Sequence, residues 1–176
     1  MNYELVRTKR KTIGIQVKAG NLIVRAPYFV SKKEIETILF KHKDWIYKQL
    51  KEDEIQKRIP SLTKNQIQKL VEEAKNWIPQ RVAFYAEKMG VSYNQVTIRK
   101  QKTRWGSCSS KGNLNFNCLL MLTPKEVIDS VVVHELCHLK EMNHSKKFYK
   151  EVLKIYPDYW KWNQWLKENG KYLICR

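Results

Sequence analysis

Two histidines and a glutamate, His134, Glu135 and His138, are of types that bind and use a metal ion, and they fall within five residues. Residues four apart lie on one face of a helix, so both imidazoles can reach a single ion. A glutamate directly after the first histidine can act as general base on water bound to that ion. The spacing predicts one catalytic Zn²⁺, with His134 and His138 as ligands and Glu135 as the catalytic residue.

The residues before this motif predict that its helix is buried. Positions 127–133 are mostly apolar, and apolar side chains cover nearly all faces of the predicted helix. Burying unpaired imidazoles and a carboxylate costs several kcal/mol each. A metal ion would supply the missing partner, which favours a metal site over a chance match.

His144 is the favoured third ligand, because imidazole binds zinc well and no other histidine follows it. Glu141 and Glu151 are the rival ligands. On a continuous helix His144 would point about 120° away from His138. The helix must therefore end between them, and Asn143 could reverse the chain in a left-handed conformation.

The remaining elements predict an α+β fold. Alternating apolar residues at 12–18 and 22–26 flank a turn and predict an N-terminal β-hairpin. Capping boxes open predicted helices at Ser31, Thr63 and Thr123, and Ser145 could cap another. The segment at Pro60 looks like a linker. We expect an N-terminal hairpin and helix region at 1–60 and a domain that contains the histidine motif at 61–176, which could also form one continuous domain, 1–176.

Composition narrows the class of protein. No segment reaches the roughly 18 uninterrupted apolar residues of a membrane span, and the N-terminus lacks the apolar core of a signal peptide. The four cysteines, at 108, 118, 137 and 175, form no CxxC pair, which favours reduced thiols and a cytoplasmic location. We expect no membrane partner.

The net charge is +17, and residues 1–122 hold 24 basic against 10 acidic side chains. Such a charge attracts polyanions such as nucleic acid, although a solvated lysine-rich surface explains it equally well. The candidate polyanion-binding residues are Arg7, Lys9, Arg10, Lys11, Lys100, Lys102 and Arg104. The alternative function is a nucleic-acid-associated binding module with a zinc centre, or a protease recruited by DNA.

Several motifs together resemble the YgjP-like metallopeptidase family over nearly the whole chain. They are the 134–138 motif with 143–145 and Phe148, the 104–108 segment with 113–117, and the 9–17 and 24–27 strands. The resemblance implies a compact zincin-like fold, with a small antiparallel sheet packed on the buried HExxH helix. It also implies zinc held by His134, His138 and His144, with Glu135 catalytic. The family is similar to SprT-like and WLM protease domains.

The predicted activity is hydrolysis of a peptide bond by metal-activated water, with a protein or peptide as substrate. An extended peptide could pair with the strand around 114–119, where Asn115 and Asn117 would share a face. Ordinary exposed strand residues are an equal interpretation of these asparagines. Three tyrosines could stabilise the oxyanion, and nothing in the sequence selects among Tyr149, Tyr156 and Tyr159. The position of Cys137 favours packing in the core over metal binding.

Overall fold

The computed structural model describes residues 2–174, so that Cys175 lies outside the described part. The chain divides between Pro60 and Ser61 into two compact units. Each unit combines a three-stranded sheet with helices, and the predicted α+β class is confirmed. Within the described residues no helix is both long enough and apolar enough to span a bilayer.

The first unit is a three-stranded sheet followed by two helices. Its elements are β1 (Glu4–Thr8), β2 (Gly14–Lys18), β3 (Asn21–Pro27), α1 (Lys32–Lys41) and α2 (Lys43–Arg58). The predicted hairpin is confirmed as the antiparallel pair β2–β3, and β1 runs parallel to β3 on its other side. Ala19 and Gly20 both have positive φ, the conformation that a two-residue hairpin turn requires.

A capping box begins α1, and α2 follows it directly without a side-chain cap. The Ser31 hydroxyl accepts from the Glu34 amide, and the Glu34 carboxylate accepts from the Ser31 amide, as the sequence predicted. The helix that this box opens ends at Lys41, and His42 is both the C-cap of α1 and the N-cap of α2. The apolar faces of both helices and of β3 share one core, made of Leu22, Val24, Ala26, Ile35, Leu39 and Ile46.

The second unit contains a second three-stranded sheet and four helices. Its elements are α3 (Lys64–Met89), β4 (Gln95–Arg99), β5 (Gly106–Cys108), β6 (Asn113–Asn117), a 3₁₀ helix (Cys118–Leu122), α4 (Lys125–Cys137), α5 (Lys146–Ile155) and α6 (Tyr159–Ile174). The predicted wholly antiparallel sheet is wrong, because β4 lies parallel to β6 and only β5 is antiparallel to it. The loop after β4 carries the chain to the far side of β6, so β6 is central and β5 lies at an edge.

Two predicted boundaries near the motif helix are also wrong. The strand predicted around 114–119 ends at Asn117, whose side chain accepts from the Leu119 amide and starts the 3₁₀ helix. Thr123 does not cap α4, because its hydroxyl donates to the Leu120 carbonyl at 2.7 Å. Pro124 takes the N-cap position instead.

Helix α4 is fixed against α3 by buried packing and one ion pair. Its apolar residues are almost all buried, as predicted from residues 127–133. Arg81 of α3 donates two hydrogen bonds to the Asp129 carboxylate, at 2.7 and 2.8 Å, and the Tyr85 hydroxyl donates to the same carboxylate at 3.1 Å. A bidentate pair of this kind fixes orientation as well as distance. The ion pair therefore fixes the N-terminal half of the motif helix against α3, and buried packing holds the rest.

Candidate metal centre

The three histidines predicted as ligands come together at the end of α4. Candidate ligand atoms of His134, His138 and His144 all lie within 4.8 Å of one another. The Nε2 atoms of His134 and His144 are 3.0 Å apart. Imidazole nitrogens this close suit a zinc ion, whose bonds to histidine are roughly 2.0–2.1 Å long. The group can hold one metal ion.

A tyrosine that the sequence did not single out for this role orients His134. Nδ1 of His134 lies 2.9 Å from the buried Tyr159 hydroxyl, which also accepts from Asn163 at 3.0 Å. If Nδ1 carries the proton, Nε2 presents its lone pair toward the other imidazoles. Partners of this kind fix the tautomer of a metal ligand and raise its basicity. Tyr159 is thus committed to His134 and is a poor candidate for binding an oxyanion.

The chain turns directly after α4, and the turn orients His138. The amides of Lys140 and Glu141 both donate to the Cys137 carbonyl at 3.0 Å, which ends the helix and reverses the chain. The Glu141 carbonyl comes within 3.2 Å of His138 Nδ1 and leaves Nε2 available. The predicted end of the helix before His144 is confirmed.

The predicted left-handed conformation at Asn143 is wrong. Among the described residues other than glycine, only Ala19 has a positive φ. The reversal is completed instead by the Ser145 amide, which donates to the Asn143 carbonyl at 2.8 Å. The Ser145 hydroxyl then accepts from the Phe148 amide and caps α5, as predicted. Two successive caps therefore place His144 without backbone strain.

Phe148 forms an apolar floor beneath the histidines. It is fully buried, and its ring centre lies 4.6–5.0 Å from all three imidazoles. The rival carboxylates are engaged elsewhere, since Glu141 pairs with Lys147 at 3.3 Å and Glu151 with Lys140 at 3.8 Å. Neither joins the histidine group. The side-chain environment therefore favours His144 as the third ligand.

Burial keeps the histidines of α4 in their metal-binding form. It lowers the pKa of His134 to about 3, with smaller contributions from His138 and His144, and it lowers the pKa of His138 as well. A neutral imidazole offers a lone pair to a metal, whereas a protonated one does not. Both side chains are thus ready to bind a cation at neutral pH.

Glu135 packs so closely against the edge strand β5 that the position facing it must be a glycine. The Glu135 side chain is 6% exposed, and burial raises its pKa to about 8, against the opposing field of Arg104. A Cβ placed on Gly106 would lie 2.6 Å from the Glu135 carboxylate oxygen Oε1. The carboxylate therefore packs directly against the bare backbone of β5. A cation bound nearby would lower this pKa toward the range of a general base at neutral pH.

Two cavities meet at Glu135. One, of about 280 Å³, is lined by all three histidines, β5 and Met142. The other, of about 270 Å³, extends behind Glu135 and is lined by Trp105, Val131, Tyr159 and Leu166 among others. Four residues border both cavities: Arg104, Gly106, His134 and Glu135. A reacting group at the histidines could therefore place its flanking parts in two different chambers.

The predicted substrate strand is not supported by the geometry. Strand β6 is paired on both sides and has no free edge. Asn117 is fully buried, and its side-chain amide donates to the carbonyls of Gln101 and Arg104 at 2.8 and 2.9 Å, so its predicted exposure to substrate is wrong. Asn115 is half-buried and donates to Ser107 in a long 3.4 Å bond. The free edge beside the histidines belongs to β5.

The candidate polyanion-binding residues differ in their surroundings. In the first unit, Arg7 donates to the carbonyls of Pro27 and Val30 at 2.6 Å, and Arg10 covers Gly14. Lys9 and Lys11 are exposed there.

In the second unit, Lys100, Lys102 and Arg104 are exposed and lie in the loop after the end of β4, so they do not share one face of a strand. Of the seven, Arg104 alone lines the cavities at the histidines. Recruitment by nucleic acid stays a prediction.

The other candidates of the sequence take structural positions. The Tyr156 hydroxyl donates to the Glu126 carbonyl at 3.0 Å. The centre of the Tyr149 ring lies 4.8 Å from that of Trp160, with the planes tilted by 35°, and 6.2 Å from that of His144. Cys137 is fully buried, as expected for a core residue, and burial raises its pKa to about 12. Cys108 lines the histidine cavity, but burial and the charge of Glu135 raise its pKa to about 11.

A helix that presents two histidines and a glutamate, with a third histidine from the next turn, is the arrangement of a metallohydrolase. The family model for the YgjP-like metallopeptidase domain matches residues 11–70 and 54–169. The chain belongs to this family of metallopeptidase domains.

Named relatives match shorter parts of the chain. The UTP pyrophosphatase of Escherichia coli K12 is 29% identical over 87 residues, which are 48% of this chain and 52% of that protein. The match thus spans about half the length of that relative. Two crystal structures of metallopeptidase zymogens each cover 53% of this chain and 96% of their own: abylysin of Pyrococcus abyssi (23% identity, TM-score 0.48) and jannalysin of Methanocaldococcus jannaschii (22%, 0.45).

Proposed function

We propose that the protein is a zinc-dependent peptidase of the zincin type, with His134, His138 and His144 as ligands of one Zn²⁺ and Glu135 as general base. The observation that carries the proposal is the convergence of three imidazoles beside a buried carboxylate, at the meeting point of two cavities. Family membership supports it. Zinc bound there would polarise a carbonyl and increase the acidity of water.

The chain's own groups would carry out the remaining steps. Glu135 takes a proton from the attacking water and passes it to the amine that leaves. Gly106 keeps β5 close to that carboxylate, and the buried position of Glu135 limits exchange with bulk water. An extended peptide would pair with the free edge of β5, which places its backbone across the histidines.

The test is proteolysis by zinc-loaded protein beside two matched variants. Glu135→Gln should keep its zinc and lose hydrolysis of casein or of a mixed peptide library by at least roughly 100-fold. Glu126→Gln changes the same residue type at an exposed position of the same helix and should cleave like the parent. Equal cleavage by Glu135→Gln and the parent would reject Glu135 as the base. Zinc lost from a folded Glu135→Gln would make it a ligand.

The name of the Escherichia coli relative favours a second candidate, hydrolysis of a nucleoside triphosphate to the monophosphate and pyrophosphate. The same groups could serve, with Glu135 activating water for attack on phosphorus. Incubation of the zinc-loaded protein with UTP, followed by pyrophosphate detection, separates the two activities. If the parent hydrolyses UTP but cleaves no peptide, and Glu135→Gln does not hydrolyse UTP, the pyrophosphatase activity would replace the peptidase proposal.

A further inference from the structure

Arg104 lines the cavities at the histidines but has no role in the hydrolytic mechanism proposed above. Arg104 borders both chambers, and its charge acts on Glu135. Among the described residues, its guanidinium makes no hydrogen bond or ion pair, as is also true of Arg10 and Arg99, but Arg104 alone of these three lines the cavities. A cation is thus available at the opening of the site.

The backbone that carries Arg104 is fixed although it lies in a loop. Buried Asn117 donates its side-chain amide to the Arg104 carbonyl at 2.9 Å, and its backbone amide donates to the Trp105 carbonyl at 2.8 Å. Trp105 in turn packs on Gly170 of α6, where a Cβ would lie 3.0 Å from the indole. The start of the Arg104 side chain is therefore held in place between the two cavities.

We propose that Arg104 binds an anionic group of the substrate next to the bond that is hydrolysed. This inference rests on the proposed hydrolytic site and narrows its substrates to those with a carboxylate or a phosphate at that position. A guanidinium matches either group with two parallel hydrogen bonds, and charged bonds of this kind are the strong ones. Arg104 lines the same two cavities as the buried Glu135 carboxylate, and its positive charge would offset the repulsion between that carboxylate and a bound anion.

Two sources of the anion are distinguished by paired substrates. A peptide carboxylate is tested with peptides that differ only in a free or an amidated C-terminus, and in Glu or Gln beside the cleaved bond. A phosphate is tested with UTP as substrate. Inorganic pyrophosphate serves as a common competitive probe, with its dissociation constant measured by calorimetry on zinc-loaded protein.

Arg104→Met should weaken pyrophosphate binding by roughly tenfold or more. It should also raise KM, with little change in kcat, for whichever anionic substrate the parent hydrolyses: the peptide with the free C-terminus, the peptide with Glu, or UTP. Arg104→Lys should restore part of this loss, because it keeps the charge without the paired donors. Arg99→Met, at the exposed end of β4 and outside both cavities, is the control and should match the parent.

Unchanged pyrophosphate binding in a folded, zinc-loaded Arg104→Met would overturn the inference. An equal loss in Arg99→Met would also overturn it, since a general charge effect would then suffice. The outcome is independent of the peptidase proposal. If no peptide is cleaved but pyrophosphate binding still depends on Arg104, the subsite stands and the peptidase proposal fails.

Discussion

Gly106 and Glu135 are in contact so close that no other residue type fits at position 106 without displacement. A Cβ at Gly106 would lie 2.6 Å from Oε1, 2.7 Å from Cγ and 2.9 Å from Cδ of Glu135. Because Cγ as well as the carboxylate lies within this range, the whole Glu135 side chain would have to move. The edge strand thus sets the position of the carboxylate that we propose as the base.

Gly106→Ala should therefore destabilise the protein and reduce hydrolysis. Overpacking of this kind costs about 1–3 kcal/mol. The cost should persist beside Glu135→Gln, which has the same shape, and largely disappear beside Glu135→Ala, which removes the clashing atoms. Urea unfolding of the zinc-free single and double variants measures it. The same cost in both backgrounds would show that the added methyl group clashes elsewhere.

Tyr159→Phe should weaken zinc binding without unfolding the protein. The substitution leaves Nδ1 of His134 without its buried acceptor, and losses of this kind typically weaken metal binding by about 10–100-fold. Tyr156→Phe is the control, because its hydroxyl contacts only the Glu126 carbonyl. Competition with a chromophoric chelator gives both affinities. Equal affinities would mean that Tyr159 only packs.

Asn117→Ala should be strongly destabilising, whereas Asn115→Ala should not. The buried Asn117 side chain makes three bonds, to the Gln101 and Arg104 carbonyls and from the Leu119 amide. Leaving such groups unpaired costs about 1–3 kcal/mol each. Asn115 makes one long bond and is half-buried. Thermal unfolding compares the two variants, and similar shifts in Tm would contradict the clamping role of Asn117.

Zinc-free Glu135→Gln should be more stable than the zinc-free parent, with a larger gain at pH 8 than at pH 5. Burial raises the pKa of Glu135 from 4.5 to about 8 in the folded state. Between those values the folded parent binds more protons than the unfolded chain, so its stability falls as pH rises. Glutamine does not titrate. Urea unfolding should show a gain that grows by a few kcal/mol over this range. A gain independent of pH would contradict the buried charge.

Local signals in the sequence predicted much of this structure. The hairpin, the caps at Ser31, Thr63 and Ser145, and the end of α4 before His144 all follow from residues close in the chain. Periodicity and spacing also predicted the histidine group. These features depend on helix geometry and on side chains that bond to nearby backbone groups.

The features that the sequence did not predict depend on contacts between distant residues. The parallel pairing of β4 with β6 makes β6 central, which no pattern within either strand reveals. Asn117 looked like an exposed strand residue because two of its three partners, the Gln101 and Arg104 carbonyls, lie on the loop after β4. Tyr159 was one of three equivalent tyrosines until its distance to His134, 25 residues away, was known. The glycine in the 104–108 segment was the one available signal for the contact with Glu135.

The most direct test of the account is X-ray absorption at the zinc edge on the purified, zinc-loaded protein. A three-histidine centre should give one zinc per chain, with scattering from three imidazoles and no sulfur. His144→Ala should lower the imidazole count by one and weaken zinc binding, whereas Glu141→Ala and Glu151→Ala should leave the spectrum unchanged. A sulfur ligand, or a spectrum that changes with either glutamate and not with His144, would contradict the three-histidine centre.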